Sequence, residues 1–271
     1  MNYIELLIFL AVLPVVLLCI YVYKKDKHKE PLSLLMKLFA FGILVSIPVV
    51  IVEIIVDGMF KNIGITNFYI LFFHTFLTVG LIEEGYKWLI VKKFGYNNNE
   101  FDEYYDVLVY SVFVSLGFAF IENILYVLTS DTGIATAIMR AIFSVPGHTC
   151  FAIVMGYYMA EAKSNFKNIN KANNLLLLSI IIPTSIHTLF DSFLFATEQF
   201  HSLFFGLFIV FYFVMILYCI ILVNNASQLD KSVSDKLPIS ENSNLKVNYC
   251  SNCGNKIDFG SYCSNCGKKI E

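Results

Sequence analysis

The sequence predicts an all-α polytopic membrane protein with about seven transmembrane helices, followed by a small C-terminal zinc ribbon. Three observations lead to this fold class. Of the 271 residues, 57% are hydrophobic and only 15% are charged, and the mean hydropathy is +0.67. Apolar stretches long enough to cross a bilayer recur along the chain, and two Cys-x-x-Cys-Gly motifs stand near its end. A soluble globular domain rarely has such a composition.

Seven apolar stretches are each about 20 residues long, the length that crosses roughly 30 Å of hydrocarbon as a helix. The first stretch has neither a basic leader nor a small-residue cleavage site, so we expect a retained helix and not a signal peptide. The seven stretches cover residues 3–23, 32–56, 67–91, 104–128, 134–160, 174–196 and 202–223.

Lysines concentrate in alternate loops between these helices. Loops rich in lysine and arginine face the cytoplasm in most membrane proteins. We therefore expect a multi-pass protein of the cell membrane with its N-terminus outside and its C-terminal tail in the cytoplasm. The other loops contain Lys61 at most, whereas the basic loops contain Lys24, Lys25, Lys27, Lys29, Lys92, Lys93, Lys163, Lys167 and Lys171.

After Val223 the composition becomes polar and loses its helical period, which predicts a flexible linker over residues 224–249. Residues 250–271 follow as a separate module, in which two Cys-x-x-Cys-Gly half-sites have the spacing of a tetrahedral zinc site. Two disulfides are the alternative, which a reducing cytoplasm disfavours. Four thiolate ligands leave no open position, so this zinc would be structural. The predicted ligands are Cys250, Cys253, Cys263 and Cys266.

Several ionisable residues stand inside the predicted helices, where an ionised side chain costs about 2.5 to 3.5 kcal/mol at the bilayer centre. The third helix contains Glu83, Glu84 and Lys87, and the lysine follows the two glutamates by one helical turn. The sixth helix contains His187 and Asp191, which are also one turn apart. These pairs, with Glu122 in the fourth helix and His148 in the fifth, are expected to converge on one polar cavity. Glu53, Asp57 and His74 are expected to be packing or interfacial groups.

Four motifs in this order resemble the PrsW-type membrane proteases: "EEGYKW", "GFAFIENILY", a histidine in the fifth helix, and "HTLFD". That family is similar to the broader superfamily of CAAX prenyl endopeptidases and bacteriocin-processing proteins. The resemblance covers residues 30–223 and implies that residues 1–223 form an intramembrane protease domain. It also implies a membrane protein as substrate, and PrsW-type members are associated with cleaving membrane-anchored anti-sigma factors.

The resemblance implies that Glu83 and Glu84 are the catalytic pair and that Glu122, His148 and His187 complete the polar site. Asp191 and Asn123 would contact these site residues and hold their orientation without contacting the substrate. The prenyl endopeptidases have a histidine in the second motif, where this chain has Glu122 followed by Asn123. Their detailed mechanism therefore does not transfer directly.

Two mechanisms use these residues. In the first, Glu83 or Glu84 activates water as a general base, and His187 or His148 stabilises the developing negative charge on the carbonyl oxygen. In the second, His148, His187 and one glutamate hold an active-site zinc ion, and the other glutamate is the base. The sequence leaves both open, and we favour the metal-free version.

Other classes of function remain alternatives. Buried carboxylates and histidines also form proton or cation relays in transporters, although no inverted repeat is visible. A non-catalytic membrane sensor that signals through the zinc ribbon is a third interpretation. The partner of the ribbon is open, and its two lysines, Lys268 and Lys269, do not suggest nucleic-acid binding.

Overall fold

A computed structural model of the chain describes residues 2–26 and 28–233. In this part of the chain, seven helices are long and apolar enough to cross a membrane, and no strand occurs. The prediction of about seven membrane-spanning helices is confirmed to that extent. The helices are α1 (Tyr3–Lys25), α2 (Leu32–Phe60), α3 (Phe68–Tyr96), α4 (Tyr104–Thr129), α5 (Gly133–Ser164), α6 (Ile169–Gln199) and α7 (Leu203–Val233).

Helix α4 is the centre of the bundle and packs against α1, α2 and α5. In its most apolar 18-residue window 78% of the residues are buried, against 22% in α1 and α2. The outer helices instead expose large apolar side chains such as Ile54 and Leu217. Such side chains have no reason to be exposed to water, so these surfaces face lipid.

Helices α2 and α4 approach each other closely through a reciprocal pair of glycines. A Cβ atom on Gly42 would lie 2.0 Å from the carbonyl oxygen of Val114, and one on Gly117 would lie 2.1 Å from that of Phe39. Neither position has space for a side chain. This small-residue contact is the usual way in which membrane helices bring their backbones together, and it fixes α2 against the central helix.

Three helical segments have the wider π-type turn, in which one extra residue is accommodated. Two lie in α3, at Phe76–Gly80 and Val91–Tyr96, and the third lies in α5, at Arg140–Ser144. The first immediately precedes the two glutamates of α3, and the third immediately precedes the segment that contains His148. Single π turns are frequent at functional sites.

The last helix continues ten residues beyond the predicted boundary at Val223, because its polar extension still contributes packing side chains. Ala226 is fully buried, and Leu229 packs against the main hydrophobic core. Residues 224–233 of the predicted linker are therefore helical. The rest of that linker and the predicted zinc ribbon, with Cys250, Cys253, Cys263 and Cys266, lie outside the described residues.

Candidate active site

Lys87 is the centre of a buried charged cluster on α3. Its ammonium donates hydrogen bonds to Oε2 of Glu83 at 2.8 Å and to Oε1 of Glu84 at 2.9 Å. The three side chains share one helix face because they are three and four residues apart. Lys87 is 1% exposed, Glu83 is 5% exposed and Glu84 is fully buried. Opposite charges in contact reduce the cost of burying these groups.

The third acceptor of Lys87 comes from α5. Nδ1 of His148 lies 3.2 Å from the ammonium, and Nε2 of His148 lies 2.7 Å from Oε2 of Glu122 on α4. An ammonium group only donates hydrogen bonds. We therefore assign the tautomer in which Nδ1 accepts from Lys87 and Nε2–H donates to Glu122. Three helices thus meet at one imidazole ring.

Arg140 completes the α4 side of the cluster. Its guanidinium lies 3.1 Å from Oε1 of Glu122, and its Nε donates to Oδ1 of Asn123 at 2.7 Å. The amide nitrogen of Asn123 in turn donates to the carbonyl oxygen of Ala11 at 2.6 Å. Asn123 therefore links the charged cluster to α1.

His187 on α6 is held between two carboxylates. Its Nδ1 lies 3.0 Å from Oε1 of Glu84, and its Nε2 lies 3.3 Å from Oδ2 of Asp191. Both neighbours are acceptors, so the imidazolium form, which has two N–H donors, satisfies both. The ring of Phe151 stacks on the imidazole with centroids 4.4 Å apart and planes inclined by 21°. The orientation of His187 is fixed on every side.

The contact between α3 and α6 depends on a small residue. A Cβ atom on Gly80 would lie 2.3 Å from Oγ1 of Thr188, so only glycine allows the two helices to approach at this level. Eight residues further along α3, Nε1 of Trp88 donates to Oγ of Ser179 at 2.8 Å. These two contacts set the rotation of α3 against α6 and place Glu84 beside His187.

A cavity of about 750 Å³ opens beside the charged cluster. Apart from its charged residues, the wall of this cavity is largely aromatic and aliphatic, which suits an apolar peptide segment. A second cavity, of about 270 Å³, lies among α1, α4, α5 and α7 and contains none of the predicted site residues. Glu84 does not line the larger cavity, whereas the five other predicted site residues do: Glu83, Glu122, His148, His187 and Asp191.

Comparisons with known proteins bear on this arrangement. Residues 30–220 match the model of the family described as PrsW family intramembrane metalloprotease. The chain belongs to the PrsW family. Its relatives include three proteins named Protease PrsW. The protein of Geobacillus kaustophilus is 38% identical over 196 residues, which is 71% of this chain and 81% of the relative.

The other two relatives are less similar but cover a comparable region. The protein of Oceanobacillus iheyensis is 36% identical over 181 residues, 67% of this chain and 79% of the relative. The protein of Bacillus subtilis is 32% identical over 182 residues, with the same two coverages of 67% and 79%. No solved structure matches the chain. This PrsW family member is therefore a membrane-embedded peptidase that acts on membrane proteins, as the resemblance implied.

Glu53 is a further carboxylate of the PrsW cavity that was assigned to helix packing from the sequence. Its side chain lines the same cavity as Glu83. Its Oε1 is buried and has no hydrogen-bond partner in the part of the chain that the structure describes. The signal that identifies it is general: an ionisable residue within an apolar span is a functional candidate by default.

The PrsW family is described as a metalloprotease family, which favours the metal alternative over the metal-free chemistry preferred from the sequence. Glu83, Glu84 and His148 each offer one ligand atom, and these atoms all lie within 4.8 Å of one another. Two carboxylates and an imidazole are ligands that zinc takes in catalytic sites. The position between these atoms, however, contains the ammonium of Lys87. In this arrangement the residues do not fit a metal ion.

The group of potential ligands also differs from the one predicted for a metal-dependent PrsW mechanism. It combines His148 with both glutamates, whereas the prediction combined His148, His187 and one glutamate. His187 stands apart because its two nitrogens are directed at Glu84 and Asp191. The position of a histidine in the sequence does not reveal which way its ring faces.

Proposed function

We propose that this protein hydrolyses a peptide bond of a membrane-anchored protein with one network of charged residues on α3 to α6. The observation that carries the proposal is the convergence of these side chains, from four helices, at the wall of one cavity. The proposed site residues are Glu83, Glu84, Glu122, His148, His187 and Asp191.

Glu83 is the general base in this proposal. It lines the cavity, so water and a substrate carbonyl reach it, whereas Glu84 is fully buried and does not line the cavity. Only one oxygen of Glu83 accepts from Lys87, which leaves the other to take a proton from the attacking water. A general base within hydrogen-bonding reach typically contributes about 10²- to 10⁴-fold to the rate.

His187 stabilises the negative charge that develops on the carbonyl oxygen. Its contact with Asp191 is the longer of its two, at 3.3 Å against 3.0 Å for Glu84. We infer that this Nε2–H exchanges Asp191 for the substrate oxygen as its acceptor while Glu84 keeps the ring in place. A preorganised donor of this kind is worth about 2.7 to 4 kcal/mol of barrier. Asp191 is then a positioning residue that accepts from Nε2–H when no substrate is bound.

His148 and Glu122 hold the other side of the cavity. His148 accepts from Lys87 and donates to Glu122, and Glu122 also contacts Arg140. These bonds fix the ammonium against Glu83 and Glu84, so that the base keeps one geometry. We assign His148 to orientation of the charged pair and to contact with the substrate across the cavity.

The substrate proposed from the family resemblance is a membrane-anchored anti-sigma factor or a protein of similar architecture. A helix hides its own peptide groups, so the segment to be cleaved must unwind before a carbonyl carbon reaches Glu83. The cavity has an apolar wall for such an extended segment. It also contains the acidic side chains of Glu53 and Glu198 besides those of the site.

We propose the same orientation and tail that the sequence predicts. The lysine-rich loops place the N-terminus outside and the C-terminus in the cytoplasm. The cysteines of residues 250–271 bind one structural zinc ion, which supplies most of the folding free energy of so small a module. Elemental analysis of the purified chain tests this, because replacing the four cysteines by serine removes one zinc per chain. A metal-free tail with two disulfides contradicts both proposals.

Reconstitution in liposomes with a panel of single-span substrates tests the peptidase site. We expect cleavage by the parent chain and none by Glu83→Gln or His187→Ala. Two matched variants outside the cluster, Glu161→Gln and His74→Ala, retain cleavage. A parallel arm adds a chelator and then zinc, since inhibition by the first and recovery with the second reveal a metal-dependent step.

Two results contradict the proposal. In one, Glu83→Gln and His187→Ala cleave as well as the parent. In the other, the parent never cleaves, conducts ions across the liposome membrane, and loses that flux in the same variants. The second result supports a transporter.

A further inference from the structure

The ammonium of Lys87 has three N–H groups and three acceptors. These are Oε2 of Glu83, Oε1 of Glu84 and Nδ1 of His148, at 2.8, 2.9 and 3.2 Å. The same three residues form the group whose ligand atoms lie close enough together to hold a metal ion. Each of the three residues that a metal ion would use at this place therefore already binds, through one atom, a cation that belongs to the chain.

Lys87 is a buried member of this cluster and not a surface lysine. It is 1% exposed, and its ammonium lies 4.1 Å from the centroid of the Phe118 ring. The side chain starts one turn after Glu83 and Glu84 on the same helix, so a short reach brings it to both. A buried ammonium that left these partners would lose its hydrogen bonds and its counter-charges together.

A divalent cation and the ammonium are mutually exclusive at this position. A zinc ion lies about 2.0 to 2.2 Å from carboxylate and imidazole ligands, so an ion bound to all three side chains would overlap the Lys87 nitrogen. Repulsion between the two positive charges adds to the steric conflict, and it is weakly screened in a buried site. One of the two cations must be elsewhere when the other is bound.

We propose that Lys87 and a divalent metal ion compete for one position between Glu83, Glu84 and His148, and that Lys87 sets the metal affinity of the site. The inference rests on the proposed active site for its location. It extends that proposal, because it assigns to Lys87 a role in choosing between a lysine-filled and a metal-filled form. With lysine in place, both glutamates keep a cationic hydrogen-bond donor without metal.

Metal stoichiometry of the purified full-length chain in detergent tests the competition. Zinc binding is measured by equilibrium dialysis and elemental analysis for the parent and for Lys87→Met, whose side chain has similar length and no charge. We expect Lys87→Met to bind one more zinc per chain than the parent. The affinity at this position is expected to rise on the order of 10- to 100-fold, the range in which neighbouring groups tune metal sites. Both proteins contain the same cysteine motifs, so zinc bound there does not contribute to the difference in stoichiometry between them.

Three further variants make the result specific. Lys87→Gln keeps a hydrogen-bond donor for the carboxylates without the charge, so it provides the measurement if Lys87→Met does not fold. Lys87→Arg keeps the cation and is expected to bind no additional zinc. Adding His148→Ala to Lys87→Met is expected to remove the additional ion.

The proposal is overturned if the parent already binds the additional zinc as tightly as Lys87→Met. It is equally overturned if neither uncharged variant gains an ion. Neither readout depends on proteolysis. Failure of the competition is therefore distinguishable from failure of the proposed peptidase function, which the liposome assay measures.

Discussion

Nδ1 of His187 lies 3.0 Å from Oε1 of Glu84, and this contact joins α6 to α3 at the centre of the charged cluster. The same oxygen accepts from Lys87 at 2.9 Å. Glu84 is therefore the side chain on which the proton donor and the buried cation both depend. Glu83, its neighbour in sequence, also binds Lys87 but does not contact Nδ1 of His187, and it lines the cavity.

Replacing the two glutamates separately should produce different defects. Glu83→Gln is expected to lower the cleavage rate about 10²- to 10⁴-fold, because the base is lost. In this variant Lys87 still forms its hydrogen bond with Glu84. Glu84→Gln is expected to lower the free energy of unfolding by roughly 3 to 5 kcal/mol, because it removes a carboxylate from a fully buried charged pair. Cleavage rate and thermal unfolding in detergent are measured for both. Equal unfolding temperatures, with equal loss of rate, contradict the division of roles.

The Gly80 contact makes a prediction about stability and activity together. Gly80→Ala places a methyl group 2.3 Å from Oγ1 of Thr188, and overpacking of this kind typically costs 1 to 3 kcal/mol. The displaced α3 should also weaken the Glu84–His187 bond and lower cleavage. Gly58→Ala is the matched control, since no atom of the described residues lies within 4 Å of its new methyl group. Adding Thr188→Ala to Gly80→Ala should recover part of the loss.

Two truncations separate the end of α7 from the tail. A chain that stops after Val233 should keep its unfolding temperature and its cleavage activity, because the described bundle is intact. A chain that stops after Val223 loses Ala226, which is fully buried, and Leu229, which packs on the core. It should unfold at a lower temperature. If both truncated chains are as stable as the parent, residues 224–233 contribute nothing to the bundle.

Glu30, in the loop between α1 and α2, should make stability depend on pH. Burial raises the pKa of its carboxyl group to about 7, against a hydrogen bond from Tyr110 that lowers it; the charges of Asp26 and Asp102 add to the rise. The folded state therefore holds this proton more tightly than the unfolded state. Its contribution is fully present below the unfolded pKa of about 4.3 and is lost as pH rises towards about 7.

Unfolding temperatures between pH 4.5 and pH 8, measured in detergent, check this sign. The parent should lose stability across the interval relative to Glu30→Gln, whose amide does not titrate. Glu5→Gln is the control for replacing an exposed glutamate, since the Glu5 carboxylate accepts an exposed capping bond at the start of α1. A Glu30→Gln profile parallel to that of the parent contradicts the assignment.

Glu53 should influence which substrates are cleaved. Its side chain lines the cavity, so the carboxylate suits a lysine or arginine of the bound segment, and a hydrogen bond to a charged group is worth about 1.5 to 3 kcal/mol. Glu53→Gln should therefore lower kcat/KM roughly 10- to 100-fold for substrates with such a residue near the cleaved bond. Substrates without one should be unaffected. A uniform loss for both kinds of substrate argues against a role in specificity.

The sequence predicted what spacing along one helix determines. Lys87 follows Glu83 and Glu84 by one turn, and Asp191 follows His187 by one turn, so both contacts could be read from the chain. It did not predict which way each helix is rotated about its axis. The bond between Glu84 and His187, 103 positions apart, depends on close helix contacts such as that of Gly80.

Other features were missed for a related reason. Composition ended the last helix at Val223, since an asparagine-rich stretch has no helical period, but two apolar side chains were enough to hold another ten residues. The different surroundings of Glu83 and Glu84 were also unpredictable, because adjacent residues on a helix point about 100° apart. Only the packed bundle distinguishes the one that meets the cavity.

The π-type turn at Arg140–Ser144 determines how α5 meets Glu122. In an unbroken α-helix the eight positions from Arg140 to His148 would put the two side chains about 80° apart around the axis. One accommodated extra residue rotates them back by about 100°, so both reach the same carboxylate, at 3.1 and 2.7 Å. Deleting a single residue here would make the helix more regular and yet swing the guanidinium away from its partner. This segment consequently tolerates a change of side chain more readily than a change of length.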